Sequence, residues 1–165
     1  MKYSIIVAIN SLTGIGCNNQ IPWKEKEDLK FFKTQTENKV VIMGRKTFES
    51  LNYKPLKNRT NIVLSSTLKI NDPPPNLYIY HSLYEFELYW KDQVENAFII
   101  GGESLYCYVL ANRIKFIEQV IVSRINNDDV CDTFFPMDIV KSNFVLSGVK
   151  NITSNVTVEF FKSLN

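Results

Sequence analysis

The sequence predicts an α/β fold: a single domain with a mostly parallel central sheet, an antiparallel C-terminal edge and helices on both faces. Short apolar segments alternate with helix-like segments through about residue 125, as in sheets whose parallel strands are joined by helices. Two later segments alternate between apolar and polar residues, as the strands of an antiparallel hairpin do. Because the 165 residues contain no repeat and no linker, we expect one domain over residues 1–165.

The predicted strands are short apolar segments, most of which end at glycine, serine or asparagine. The first is nearly continuous in apolar character, which is typical of a strand buried on both faces. The second runs into Gly44, and the fifth runs into Gly101-Gly102. In chain order, the predicted strands are 3–9, 39–43, 61–64, 77–80, 97–100 and 120–125, followed by a hairpin of 144–150 and 156–163.

The predicted helices lie between these strands. Residues 10–24 form a polar loop that ends at Pro22-Trp23, and three consecutive prolines keep residues 71–76 extended. The predicted helices are 25–36, 45–51, 81–91 and 103–110.

Composition excludes several classes of protein. A hydrophobic content of 45% is typical of a globular domain, and a net charge of +2 is too small to indicate nucleic-acid binding. The sequence has no apolar run of the roughly 18 residues that span a membrane and no signal-peptide pattern, so we expect a cytoplasmic protein. The one histidine and three widely spaced cysteines lack metal-ligand spacing. We therefore expect no metal site and reduced, mostly buried thiols.

The predicted helix 25–36 places a carboxylate on its apolar side. Asp28 shares a predicted face with Leu29 and Phe32, whereas positions 26, 30, 33 and 37 line the opposite face with charge. A desolvated carboxylate is unfavourable unless it is bound or protonated. This pattern indicates a polar ligand that meets an acid in an apolar pocket.

Two strand-to-helix junctions predict a site for a phosphate-rich cofactor. One is Gly44-Arg45-Lys46-Thr47 and the other is Gly101-Gly102-Glu103-Ser104, and in open α/β sheets ligands bind where strands end and helices begin. Ser65-Ser66, after the third strand, can add hydroxyl donors. Each junction alone also fits ordinary turn chemistry, and neither carries a complete dinucleotide or P-loop motif.

In order and spacing, these segments resemble the dihydrofolate reductase family over nearly the whole chain. The most specific are the run from Val41 to Ser50 and the Pro-Trp loop with its acid-bearing helix. The matching pieces are Val7-Ala8, Ile15-Gly16, Ile21-Pro22-Trp23, Asp28-Leu29 with Phe32-Lys33, residues 41–50, Pro55-Leu56, Arg59-Thr60-Asn61, Leu64-Ser65-Ser66, Ile99-Ile100-Gly101-Gly102, Tyr106, and Asp132-Thr133 with Phe135-Pro136.

The resemblance implies an NADPH-dependent reduction of 7,8-dihydrofolate to 5,6,7,8-tetrahydrofolate. Hydride goes to C6 and a proton to N5, in support of one-carbon metabolism and thymidylate synthesis. It implies that Asp28 binds the 2-amino group and N3 of the pterin, that Ser123 supports this acid, and that Trp23 positions a water that donates the proton. These three are the expected catalytic residues.

The resemblance also implies the binding residues. Arg59 is expected to bind the α-carboxylate of the glutamate tail, and Arg45 the adenosine 2′-phosphate. The loop 10–24 is expected to close over the nicotinamide, and Gly101-Gly102 to form a cis peptide. The expected substrate-binding residues are Ile6, Val7, Asp28, Leu29, Phe32, Leu51, Leu56, Arg59 and Ile100. The expected NADPH-binding residues are Ala8, Ile15, Gly16, Gly44, Arg45, Lys46, Thr47, Leu64, Ser65, Ser66, Gly101, Gly102, Glu103, Ser104 and Tyr106.

Two positions depart from the family pattern. Ser104 stands where some bacterial members carry an arginine, and Glu103 would repel a pyrophosphate unless its side chain turns outward. The expected partners are dihydrofolate and antifolate inhibitors, with no nucleic acid and no membrane, in a monomer unless the chain is fused to a thymidylate synthase. The alternatives are an inactive folate- or NADPH-binding module and the related reductase of riboflavin synthesis. The Pro-Trp loop and Asp28 speak against both.

Overall fold

An eight-stranded sheet runs through the centre of the computed structural model, which describes residues 1–164. The strands of the chain are β1 (Lys2–Ile9), β2 (Gly14–Gly16), β3 (Val40–Gly44), β4 (Thr60–Leu64), β5 (Leu77–Tyr80), β6 (Asn96–Gly101), β7 (Ile117–Ile125), β8 (Thr133–Phe134), β9 (Phe144–Thr153) and β10 (Val156–Ser163). The order in the sheet is β5-β4-β3-β6-β1-β7-β10-β9. The six strands from β5 to β7 are parallel, and β10 pairs antiparallel with β7 and β9. The predicted fold class, a mostly parallel sheet with an antiparallel C-terminal edge in one domain, is confirmed.

Helices cover both faces of this sheet because successive side chains of each strand point in opposite directions. On β1, Ile5 belongs to an apolar cluster with Phe86 and Val109, whereas its neighbour Ile6 belongs to a second cluster with Phe31 and Phe48. The helices are α1 (Lys26–Thr36), α2 (Arg45–Ser50), α3 (Leu83–Trp90), α4 (Glu103–Asn112) and α5 (Met137–Asn143), and a 3-10 turn spans Ile114–Phe116. Thus α3 and α4 pack on one face, and α1 and α2 on the other.

The main differences from the predicted elements lie outside the parallel sheet. The predicted loop 10–24 contains β2, which pairs with β8 to form a small antiparallel unit that we call the β2–β8 ribbon. The sequence interpretation missed β8, α5 and the 3-10 turn, and β7 begins three residues before the predicted start at 120. Helix α3 begins at Leu83, two residues later than predicted, because the Ser82 hydroxyl accepts a hydrogen bond from the Glu85 N–H and caps it there.

The cysteines differ from expectation as well. Cys131 is buried, but Cys107 is exposed and Cys17 is only half-buried, so the prediction of mostly buried thiols is wrong. All three are free thiols. Within residues 1–164, no helix combines the length and the apolar character needed to cross a membrane.

Candidate active site

The two predicted strand-to-helix junctions meet at the carboxyl edge of the sheet. A methyl group placed on Gly44 would lie 3.9 Å from both the Gly101 carbonyl oxygen and the Gly102 nitrogen. A methyl group on Gly102 would lie 3.3 Å from Thr47 Oγ1. The Gly101-Gly102 peptide is cis, as the resemblance implies, and we refer to Gly44, Thr47, Gly101 and Gly102 as the glycine corner. Because its three glycines carry no side chains, a ligand can approach the backbone of this corner closely.

Tyr106 supports the glycine corner from the interior. Its hydroxyl donates a hydrogen bond to the Ile6 carbonyl oxygen at 2.9 Å and would lie 3.3 Å from a methyl group on Gly101. The side chain is fully desolvated, and this burial raises the pKa of Tyr106 well above its usual value. Its hydroxyl is therefore neutral and committed to the backbone, so its role at this site is to hold the corner in place.

The cationic and hydroxyl side chains beside the glycine corner follow two adjacent strands, β3 and β4. Arg45 forms an ion pair with Glu49 one helical turn away, while Lys46 is exposed. The Ser65 hydroxyl accepts hydrogen bonds from the N–H groups of Thr67 and Leu68, at 3.2 and 2.9 Å, and so caps a turn. Ser66 is exposed. Among these predicted ligand-binding side chains, Lys46 and Ser66 are therefore exposed, whereas Arg45 and Ser65 already have partners within the protein.

A groove continues from this edge along β5 and includes two polar residues that the sequence interpretation did not assign. It has a volume of about 420 Å³, and Ser65, Ser66, Lys69, Tyr80 and His81 are among its lining residues. Only His81 had a usable signal, because it directly follows β5; Lys69 lies five residues beyond the end of β4. Two further basic side chains thus lie close to the predicted phosphate site.

Asp28 lies on the buried face of α1, and only 9% of it is exposed. Burial raises the pKa of the Asp28 carboxyl, a hydrogen bond with Ser123 on β7 opposes this rise, and the nearby charge of Glu25 adds to it. Ser123 is itself buried. The structure therefore brings together the acid and the hydroxyl that the resemblance paired.

The prediction that Leu29 shares the buried face of α1 with Asp28 is wrong. Leu29 is 61% exposed, and the buried residues of α1 are Asp28, Phe31 and Thr36. A helix turns 100° per residue, so position 29 is rotated away from position 28, whereas position 31 returns to the same side. Phe31 was missed; its ring packs edge-to-face against Phe160, with centroids 6.2 Å apart.

The remaining predicted pocket residues form one apolar wall. Ile6 is buried in the second cluster, and partly buried side chains pack against that cluster from the side of α1 and α2; among them are Phe32, Leu51, Leu56 and Ile100. Val7 is buried on the opposite face of β1. Trp23 is half-buried just before α1. These partly exposed apolar side chains can line a cleft whose floor is Ile6.

Arg59 is buried at the far end of α1, with 8% of its surface exposed. Its Nε donates to the Lys57 carbonyl oxygen at 2.8 Å, and its Nη1 donates to Thr36 Oγ1 at 3.2 Å. Burial lowers the pKa of Arg59, and the charge of Glu37 partly opposes this effect. Thr36 lies eight residues beyond Asp28, which corresponds to about 12 Å along a helix. Helix α1 thus carries a buried acid near its start, and its last residue, Thr36, contacts a buried guanidinium.

The predicted lid segment, residues 10–24, is fastened to the rest of the fold by the β2–β8 ribbon. The Asn10 side-chain oxygen accepts hydrogen bonds from the N–H groups of Leu12 and Gly14, at 3.0 and 2.8 Å. Further along, Asp132 N donates to the Gly16 carbonyl oxygen at 2.9 Å. Ala8, in β1 just before this segment, and Ile15, within it, are half-buried, and Gly16 is buried.

Glu103 turns away from the glycine corner. Its Oε2 accepts a hydrogen bond from the Phe134 N–H in β8 at 2.5 Å. The carboxylate therefore does not point to the position where a pyrophosphate is expected. Ser104 is exposed, and Leu64 is half-buried at the end of β4. No group of three or more histidine, cysteine or acidic side chains within residues 1–164 is placed to hold a metal ion.

Comparison with known proteins gives consistent matches over nearly the whole chain. A family model described as dihydrofolate reductase matches residues 2–161. Dihydrofolate reductase type 9 of Escherichia coli is 38% identical over 96% of this chain and 90% of its own length. The bifunctional dihydrofolate reductase-thymidylate synthase of Paramecium tetraurelia is 34% identical over 83% of this chain, which spans 29% of that protein. A solved dihydrofolate reductase from Enterococcus faecalis, complexed with NADP(H) and RAB-propyl, superposes with a TM-score of 0.85 at 27% identity and covers 99% of this chain and 97% of its own.

Proposed function

The chain belongs to the dihydrofolate reductase family, and from that premise we propose which of its residues bind the two ligands and which assist the reaction. It is an NADPH-dependent oxidoreductase that reduces dihydrofolate to tetrahydrofolate. When bound, NADPH supplies the hydride. The protein therefore has to bind two ligands side by side, exclude water from the reacting atoms and help a proton reach the pterin.

The proposal depends mainly on two buried groups of opposite charge type. Asp28 lies near the start of α1, and Arg59 lies beside the end of α1. Asp28 can accept hydrogen bonds from the amino group and the ring N–H at one end of the substrate. Arg59 can form a two-pronged contact with a carboxylate at the other end. The separation of about 12 Å between Asp28 and Thr36, the residue that contacts Arg59, suits a substrate with a pterin at one end and a glutamate at the other.

At the reacting end, Asp28 fixes the pterin and Ser123 steadies the carboxyl group. Because burial raises the pKa of Asp28, the carboxyl holds a proton to higher pH than an exposed aspartate does. We assign Trp23 to the positioning of the water that protonates N5, because it is half-buried directly before α1. The apolar side chains between the two ends hold the rings of the substrate; these are Ile6, Phe32, Leu51, Leu56 and Ile100, with Leu29 at the exposed rim. The Val7 side chain lies on the other face of β1 and leaves only its backbone to this site.

The glycine corner suits the phosphates of the nicotinamide cofactor, because its glycines leave the backbone open to a ligand. A side chain at Gly102 would crowd the Thr47 hydroxyl. We propose that the phosphates of NADPH bind there, against the start of α4 and the Thr47 hydroxyl. Arg45, Lys46, Ser65 and Ser66 would hold the adenosine half. The other cofactor contacts are assigned to Ala8, Ile15, Gly16, Gly44, Leu64, Gly101 and Ser104, with Tyr106 as support. Glu103, whose carboxylate is bonded to the Phe134 N–H, is assigned a contact through its backbone only.

We further propose that the protein acts as a cytoplasmic monomer, or as one part of a fusion with thymidylate synthase, and that antifolates compete for the Asp28 end of the site. The free thiols of Cys17, Cys107 and Cys131 support the location, because the cytosol keeps thiols reduced. The Paramecium relative shows that a fused arrangement exists in the family.

A direct assay tests the function. Purified protein, mixed with NADPH and dihydrofolate, is expected to oxidise NADPH only when both are present, which is measured as the fall in NADPH absorbance. Tetrahydrofolate is identified by chromatography. A folded protein that binds both ligands but gives no turnover would support the inactive binding module instead.

A further inference from the structure

Glu103 links two parts of the molecule that are otherwise separate in sequence. It is the first residue of α4 and directly follows the Gly101-Gly102 peptide of the glycine corner. Its carboxylate reaches across to Phe134, whose N–H it accepts at 2.5 Å. This contact therefore ties the glycine corner to β8.

Strand β8 is in turn bonded to the predicted lid segment. The Phe135 N–H donates to the Thr13 carbonyl oxygen at 2.9 Å, and the Asp132 N–H donates to the Gly16 carbonyl oxygen at 2.9 Å. The Phe134 N–H lies between these two donors and points to Glu103 instead. A ribbon of so few residues has little stability of its own. It depends on external contacts to stay in one position, and these include the packing of the Phe135 ring against Tyr106 and the bond of Phe134 to Glu103.

We propose that Glu103 is a positioning residue: its carboxylate anchors the β2–β8 ribbon to the glycine corner and so sets the resting position of residues 10–17 beside the cofactor site. The consequence for turnover rests on the proposed function, whereas the anchoring itself concerns only the protein. This role also explains why the first residue of α4, next to the predicted phosphate site, is an acid: its carboxylate is bonded to β8 instead.

A different role for Glu103 predicts different behaviour. An acid in the first turn of a helix also interacts favourably with the helix dipole. Glutamine keeps the oxygen acceptor and the reach but loses the charge, whereas aspartate keeps the charge but is one methylene shorter. Comparing Glu103→Gln with Glu103→Asp therefore separates the hydrogen bond from the dipole, and Glu103→Ala removes both.

Amide hydrogen exchange of the protein without ligands provides the test. Glu103→Ala and Glu103→Asp are expected to accelerate exchange of the Asp132, Phe134 and Phe135 amides by about tenfold. Glu103→Gln is expected to stay within about twofold of the wild type. Asp138→Ala, which removes a first-turn acid from α5 instead, serves as the matched control and is expected to leave these amides unchanged.

Three outcomes would overturn the proposal: equal acceleration in Glu103→Gln and Glu103→Ala, acceleration confined to the Phe134 amide, or a similar acceleration in the Asp138→Ala control. In a second measurement, Glu103→Ala is expected to lower kcat about threefold more than Glu103→Gln does; equal kcat values would refute the consequence for turnover. If the wild type has no turnover, the proposed function fails, but the exchange result still decides the anchoring.

Discussion

Replacing Asp28 with asparagine is expected to make the folded protein more stable at neutral pH and the enzyme much slower. Asp28 is 9% exposed, and burial raises the pKa of its carboxyl, so the folded state disfavours its charged form. Asparagine has nearly the same shape, carries no charge and can still form a hydrogen bond with Ser123. The substitution therefore removes an unfavourable charge without creating a cavity.

The size and pH dependence of the gain follow from proton linkage. Each pH unit by which the folded-state pKa of Asp28 exceeds its unfolded value, about 3.9, corresponds to about 1.4 kcal/mol of unfolding free energy. Between the two pKa values the folded state binds more protons, so wild-type stability falls as pH rises and then levels off. For 165 residues, 1.4 kcal/mol shifts Tm by about 4 °C. The advantage of Asp28→Asn should therefore be near zero below about pH 3.9 and complete above the raised pKa.

Thermal unfolding of both proteins across this pH range, without ligands, measures the gain. Turnover of Asp28→Asn at neutral pH is expected to fall about 100-fold or more, because the variant cannot carry the charge or the proton of the carboxyl. NADPH affinity should be nearly unchanged, since the glycine corner is separate. A Tm difference that is the same at every pH, or a kcat equal to that of the wild type, would refute the reasoning.

Three further substitutions test other parts of the site. Ser123→Ala removes the hydrogen bond that lowers the pKa of Asp28, so the pH–rate profile should move to higher pH; an unmoved profile contradicts the pairing. Arg45→Ala should weaken NADPH binding by about tenfold or more while hardly affecting NADH, measured by fluorescence titration; equal losses would place the 2′-phosphate elsewhere. Gly14→Ala should lower the unfolding free energy by about 2 kcal/mol, because the new methyl group would lie 2.3 Å from a cysteine sulfur. Gly148→Ala, whose nearest neighbour would be 3.8 Å away, is the control and should stay close to wild type in chemical denaturation.

The parallel sheet was predictable because its strands are continuous apolar segments with clear ends. β5 was predicted at residues 77–80 and is found there, and β3 and β6 run into the glycines that were expected to end them. In contrast, β8 has two residues, and it forms a strand only because Gly14 pairs with Phe134 across the fold. A pairing of that kind has no local pattern in the sequence, so neither periodicity nor turn chemistry could reveal it.

The candidate site shows the same limit at the level of single side chains. The meeting of Gly44 with Gly101-Gly102 was predictable, since the carboxyl ends of parallel strands lie at one edge. The exposure of Leu29 was predictable only in part: the 100° turn per residue separates it from Asp28, but residue type alone does not show which apolar side chain faces outward. The bond of Glu103 to Phe134 depends on the placement of α4 against β8, which the sequence does not reveal.

Asp28 and Arg59 together explain why the folded protein should be less stable without a bound substrate than with one. Burial opposes the charge on each group, as their pKa directions show, and a ligand with matching donors and a carboxylate offsets both effects. A ligand at 100 times its Kd stabilises the fold by about 2.7 kcal/mol. The Asp28→Asn variant binds dihydrofolate more weakly, so the same ligand concentration stabilises it less than it stabilises the wild type. The order of the two Tm values should therefore reverse: without dihydrofolate the variant is the more stable protein, and at saturating dihydrofolate the wild type is.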